Sequence, residues 1–171
     1  MTRRRTVRRA ADPEIVTESE ARRRETEALF EVGRVLSQSL DPDVIGQRVV
    51  DSVRALLAAQ ASILYRLEPE TGDLVAVVCS GDAGPGFAPN VVLPAGTGIA
   101  GLAVRDRAPR VSRHVMRDPR LALPPELRAR IEQAPFRAAL AVPLVVTERV
   151  VGVLAAYDKE GRTFDARAVR L

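Results

Sequence analysis

Residues 93–110, L-P-A-G-T-G-I-A-G-L-A-V-R-D-R-A-P-R, carry the spacing best suited to ligand chemistry. Leu93 precedes a proline and is pushed towards extended backbone. Gly96, Gly98 and Gly101 follow, with Thr97 between the first two. Ile99, Leu102, Ala103 and Val104 then fall at helical spacing until Asp106 and Pro109 end the run. A helix N-terminus fed by glycines presents unpaired N–H groups and partial positive charge, which suits an anionic group. The same glycines equally suit a short helix that packs tightly on a sheet. Other chemistry is sparse. The chain has one cysteine, Cys79, and one histidine, His114. It has no His–Glu or His-x-Cys metal spacing and no Gly-x-Ser-x-Gly elbow. Glu68 and Glu70 sit in turn chemistry, where carboxylates are solvated.

The elements that must position this stretch read as α+β. Residues 1–17 are arginine-rich and poor in large apolar groups, which predicts a flexible basic tail. Residues 18–40 place Ala21, Ala28, Leu29, Val32, Val35 and Leu36 on one helical stripe. That stripe is narrow enough for a dimer seam and equally able to pack on the chain's own sheet. Asp41-Pro42 caps and starts a second helix, with apolar positions Val44, Ile45, Val49, Val53, Leu56 and Leu57, ending near Gln60. Residues 61–67 and 74–80 form a hairpin about the turn at 68–73. Residues 81–89 are a Gly/Pro loop, and 90–94 a short third strand. After the glycine stretch come a strand at 110–113, an irregular proline-rich segment, and two helical turns at 126–133. The apolar runs 138–146 and 149–157 form a second hairpin, predicted to be covered on both faces and central. Asp165 caps a final helix that looks cut after two turns.

The totals limit the function classes. A domain of about 130 residues needs neither disulfide nor metal to fold. One cysteine excludes an intrachain disulfide. No apolar run approaches the ~18 residues of a membrane span, and no signal peptide opens the sequence. A reducing, cytoplasmic setting follows as the expectation. The net charge of +4 lies wholly in residues 1–24, which hold eight arginines against Asp12, Glu14, Glu18 and Glu20. The remainder balances. With no tryptophan and one lysine, the core lacks the basic, aromatic face of a nucleic-acid domain.

Taken together, L-P-A-G-T-G-I-A-G-L-A-V, then A-P-R-V, D-P-R-L, A-L-A-V-P-L-V-V and V-V-G-V-L-A-A-Y resemble the GAF domain family over residues 27–171. The resemblance implies a six-stranded antiparallel sheet with helices on both faces. The glycine stretch would be the family's pocket helix, and residues 114–135 the lid over it. It also implies a sensory or regulatory domain of a bacterial signalling protein such as a histidine kinase, cyclase or transcription regulator. The first and last helices would carry the signal to a C-terminal effector, with a homodimer through residues 18–40. The rival is an interaction module with a filled pocket.

Within that resemblance the candidate ligand contacts are the amides of Thr97, Gly98 and Ile99, holding an anionic or carbonyl oxygen. Ser80, Arg113 and His114 are candidate polar contacts, and Tyr65 and Tyr157 candidate walls. The family's cofactor motifs are incomplete here. Cyclic-nucleotide-binding members carry an Asn-Lys, Phe, Asp-Glu signature. This chain has Asp158-Lys159 and Phe164, but Ala168 and Val169 where the acidic pair belongs. Bilin attachment needs a lid cysteine, whereas Cys79 lies on the second strand and reads as a small apolar residue. Haem needs an axial histidine near the Val-Pro-Leu strand, and His114 lies on the far side of the lid. Free methionine sulfoxide reduction needs several cysteines. The expectation is therefore a domain that is not an enzyme.

Overall fold

The computed structural model describes residues 41–165 and residue 168. The expected tail at 1–17, the stripe at 18–40 and most of the final helix lie outside them. Asp165 is described: its carboxylate accepts the Ala168 N–H at 3.0 Å, the geometry of a helix N-cap.

Six strands form one antiparallel sheet in the order β3-β2-β1-β6-β5-β4. They are β1 (Ala61–Leu67), β2 (Leu74–Gly81), β3 (Val92–Leu93), β4 (Arg110–Ser112), β5 (Ala138–Val146) and β6 (Arg149–Asp158). Among the described residues three α-helices accompany them: α1 (Pro42–Leu57), α2 (Gly98–Asp106) and α3 (Pro125–Gln133). Both hairpins form as the turn chemistry predicts. Thr147 and Glu148 close the second with φ of 45° and 64°, the paired left-handed residues of a two-residue turn.

Two cores follow from the alternation of the strands. On one face Ile63, Tyr65, Val153, Ala155 and Tyr157 pack with Ile99, Leu102 and Ala103 of α2 and with the segment around α3. On the other, Leu57 and Ala59 pack with Ala138, Leu140, Ala156 and Phe164. A bulge in the β1–β2 pair decides which β2 residues join which face. Leu64 pairs with Val78 and Tyr65 with Ala76, so Val77 is skipped. Leu74 and Ala76 therefore lie on the Tyr65 face, whereas Ser80 pairs with Ser62 on the α1 face.

Two expectations need correction. α1 ends at Leu57, with Ala58 at φ 46°; of the expected apolar set only Leu57 and Val53 face the protein, together with Gly46 and Val50. Val44, Ile45, Val49 and Leu56 are exposed, Leu56 by 67%. A small residue at position 46 lets the helix lie close to the sheet, which rotates the larger side chains outward. The second hairpin is covered on both faces only through its inner half. β5 lies next to the edge strand β4, which is three residues long, so Val145, Val146 and Val151 at the tip are exposed. The central pair is β1 and β6.

Candidate functional site

The glycine stretch forms a tight turn into α2. Gly96 and Gly98 adopt φ of +71° and +63°, a region in which side chains are strained. Gly101 is needed for a different reason. A Cβ there would stand 2.4 Å from the carbonyl carbon of Gly96, so turn and helix touch backbone to backbone.

The amides at this turn are largely spoken for. Thr97 occupies the N-cap position, but its hydroxyl donates back to the Pro94 carbonyl at 2.7 Å instead of capping the helix. The Thr97 N–H also goes to Pro94 O, at 3.1 Å. The Gly98 N–H donates to the Ala122 carbonyl at 2.9 Å, tying the segment before α3 down onto α2. Two of the three amides nominated for an anion thus close the turn and latch the lid.

Beneath α2 the lid encloses a chamber lined by Phe87, Leu93, Ile99, Leu127, Phe136 and Tyr157 among others. The free space is about 20 Å³, on the order of one water molecule. Aromatic rings take up the rest. Phe136 and Tyr157 have centroids 4.4 Å apart, and Phe87 meets Phe136 edge-on at 5.1 Å. Phe87 arrives from the 3-10 turn Pro85–Phe87, and Phe136 from the end of the lid. At the sheet, the Tyr65 and Tyr157 hydroxyls lie 3.0 Å apart, both rings buried. Burial lifts Tyr157 to about 12 and Tyr65 well above the ordinary phenol value, so both stay neutral.

Arg137 fastens the lid from its far end. Its guanidinium donates to the carbonyls of Ile131, Glu132, Ala134 and Phe136, closing the C-terminus of α3. Its backbone N–H reaches Asp158 O and its carbonyl accepts from Val115.

Of the residues nominated from sequence, Gly98, Ile99 and Tyr157 line the chamber. Tyr65 stands behind Tyr157, and Thr97 is buried in the turn. Ser80 lies across the sheet, accepting from Arg54 Nε at 2.9 Å, because the β-bulge reverses its face. Arg113 and His114 lie in a separate cleft at the β4 edge. Cys79 is half-buried, with its thiol pushed up by burial, as suits a packing residue. Several lining residues are not singled out by the sequence pattern, among them Phe87, Leu127 and Phe136. Their signal was an isolated large apolar residue in each Gly/Pro-rich or polar segment, which marks an anchor.

A GAF domain family model matches residues 39–171. The chain belongs to the GAF domain family. Comparison with curated proteins gives no match. Among solved structures, the domain is similar to the GAF domain of a phosphoenolpyruvate-protein phosphotransferase from Coxiella burnetii. That pair has 18% identity and a TM-score of 0.64, covering 82% of this chain and 83% of that one. The GAF-B domain of DevS from Mycobacterium smegmatis is 25% identical over 76% of this chain and 83% of that chain, with a TM-score of 0.57. NreA from Staphylococcus aureus, mutated in its nitrate-binding site, is also 25% identical, over 72% and 90%, with a TM-score of 0.57. GAF domains are in general sensory or regulatory. Among the described residues no three His, Cys, Asp or Glu could hold a metal ion together, and no helix is long and apolar enough to cross a membrane.

Proposed function

We propose that this GAF domain is a regulatory module of a signal-transduction protein of the histidine kinase, cyclase or transcription-regulator kind. It works through protein contacts, with its interior chamber filled by its own side chains. The observation that carries this reading is the 20 Å³ left beneath α2, against a wall of interlocked aromatic rings. Dimerisation through residues 18–40, the stripe read from sequence, supplies the contact. The exposed row Val44, Ile45, Val49 and Leu56 on α1 adds apolar surface of the kind that interfaces use.

A second reading, a sensor of a small ligand, is favoured by the tyrosine pair. The bond between the two hydroxyls uses one of their two O–H protons, which leaves the other as a donor for a guest. The NreA relative carries a nitrate-binding site, so nitrate is the first compound to try.

Light scattering on the full chain together with thermal shift against a small-molecule panel separates the two. The filled-chamber reading expects a dimer and no compound that raises Tm. A ligand at a hundred times its Kd contributes about 2.7 kcal/mol, or roughly 5–10 °C for a domain of this size. A shift of that size, abolished by Tyr157→Phe, replaces the first reading with the second.

A further inference from the structure

Arg113 and His114 stand away from the chamber, in an open cleft of about 420 Å³ between the β4 edge strand and the start of the lid. Three arginines line it: Arg113, Arg117 and Arg120. Their charges are unequally compensated. Arg120 is locked, its Nε and Nη2 donating to the two Asp118 oxygens at 2.9 and 2.7 Å and Nη2 also reaching Val111 O. Arg117 and His114 share the exposed Glu160, at the long distances of 3.4 and 3.6 Å. Arg113 is exposed and, among the described residues, has neither a hydrogen bond nor an ion pair. Two buried polar atoms of cleft residues lack hydrogen-bond partners, Ser112 Oγ and His114 Nδ1. The Ser112 hydroxyl helps to hold Asp118 low but makes no hydrogen bond of ordinary geometry with it.

We propose that this cleft is a second binding site, for a phosphate-type oxyanion. Ser112, Arg113 and His114 all line the cleft, so a free guanidinium stands beside two residues whose buried polar atoms lack a hydrogen bond of ordinary geometry. Buried polar atoms without partners are uncommon in folded proteins and call for an explanation. A tetrahedral oxyanion supplies one, because it offers several acceptor oxygens at once to a guanidinium fork, a hydroxyl and, when the ring carries its proton on Nδ1, an imidazole N–H. Asp118 does not oppose it, since both its oxygens are already neutralised by Arg120. Among the described residues no Phe, Tyr or Trp lines the cleft, so a base would have no large ring on which to stack. The recognised group is therefore the phosphoryl itself, carried by a free small molecule or by a phosphorylated side chain of a partner.

The test is ¹H–¹⁵N NMR on the full chain at low ionic strength, with inorganic phosphate as the probe. The site predicts saturable shifts confined to amides of residues 111–120. Arg113→Ala and Arg117→Ala each weaken binding about tenfold, the loss of one charge-assisted hydrogen bond. Both positions are exposed, so neither variant threatens folding, and an unchanged Tm checks this. Adenosine monophosphate and a phosphoserine peptide distinguish the sources. Tighter binding of either one than of phosphate supports the site and identifies its carrier. Chloride at equal ionic strength producing the same shifts, absence of saturation, or indifference to both substitutions overturns the proposal.

Discussion

Replacing Phe136 by alanine measures how far the chamber depends on its own side chains. Phe136 is 1% exposed and touches both Phe87 and Tyr157, so its removal takes out the middle of the aromatic cluster. Buried Phe→Ala changes cost about 3–5 kcal/mol through lost transfer energy and an unfilled void. About 1 kcal/mol of that belongs to ring–ring geometry. A domain of this size has about 5–15 kcal/mol of stability in all, so the variant should fold with Tm lowered by roughly 10 °C. The void, on the order of 100 Å³, is large enough for benzene and lined by hydrocarbon. Urea unfolding with and without benzene is the assay. At ten times its Kd benzene should return about 1.4 kcal/mol to the variant and nothing to the wild type. A loss below about 1 kcal/mol, or a wild type that responds to benzene as strongly, would refute the view that these rings fill the space.

Four further substitutions probe the surroundings. Gly101→Ala should destabilise by about 2–3 kcal/mol in urea, since its Cβ meets backbone that cannot yield; Gly96→Ala, with nothing within 4 Å, should cost only about 1 kcal/mol for its left-handed φ. Equal costs would show that the turn does not press on α2. Arg137→Ala should cost about 1–2 kcal/mol and speed amide exchange at Val115 and Gly98 ahead of the sheet, because it frees the end of the lid. Uniform exchange changes would argue against a lid fastened there. The Arg120 fork holds Asp118 down to about 2, with Ser112 and the Arg120 N–H adding to it. A depressed folded value contributes stability above the unfolded value near 4 and loses it as pH falls towards 2. With Arg120 half exposed, about 1 kcal/mol is at stake. Asp118→Asn should flatten stability over that window, and an unchanged acid limb would sink the assignment.

The sheet was legible because period-two alternation, turn residues and chain length all agree in this sequence. β1 is bounded as its pattern predicts, and Thr147-Glu148 turns the second hairpin. The site was less legible, for reasons that lie between strands. A single skipped residue, Val77, moves Ser80 to the opposite face, and nothing in residues 74–81 alone announces a bulge. The burial of α1 escaped its own periodicity because the residue nearest the sheet is Gly46, which no hydrophobic count selects. Phe87 and Phe136 reach the chamber from segments with little regular structure, where contact depends on the path of the chain.

The Gly98 amide sharpens the choice between the two functional readings. An oxyanion at the N-terminus of α2 would need this N–H, yet it already holds the Ala122 carbonyl of the lid at 2.9 Å. One hydrogen cannot serve both in full. Ligand capture at this atom would therefore release the lid instead of closing it, and would open a chamber of hydrocarbon to water around the new charge. Burying an ion among Ile99, Leu127 and Phe136 without a paired partner is costly, since among the described residues the one polar side chain there is a phenol that stays neutral. The cleft at Arg113 carries the opposite balance, with a free guanidinium beside two paired ones and open access. The glycine turn thus serves as the latch of a packed core, and the proposed oxyanion site lies apart from it, at the edge of the sheet.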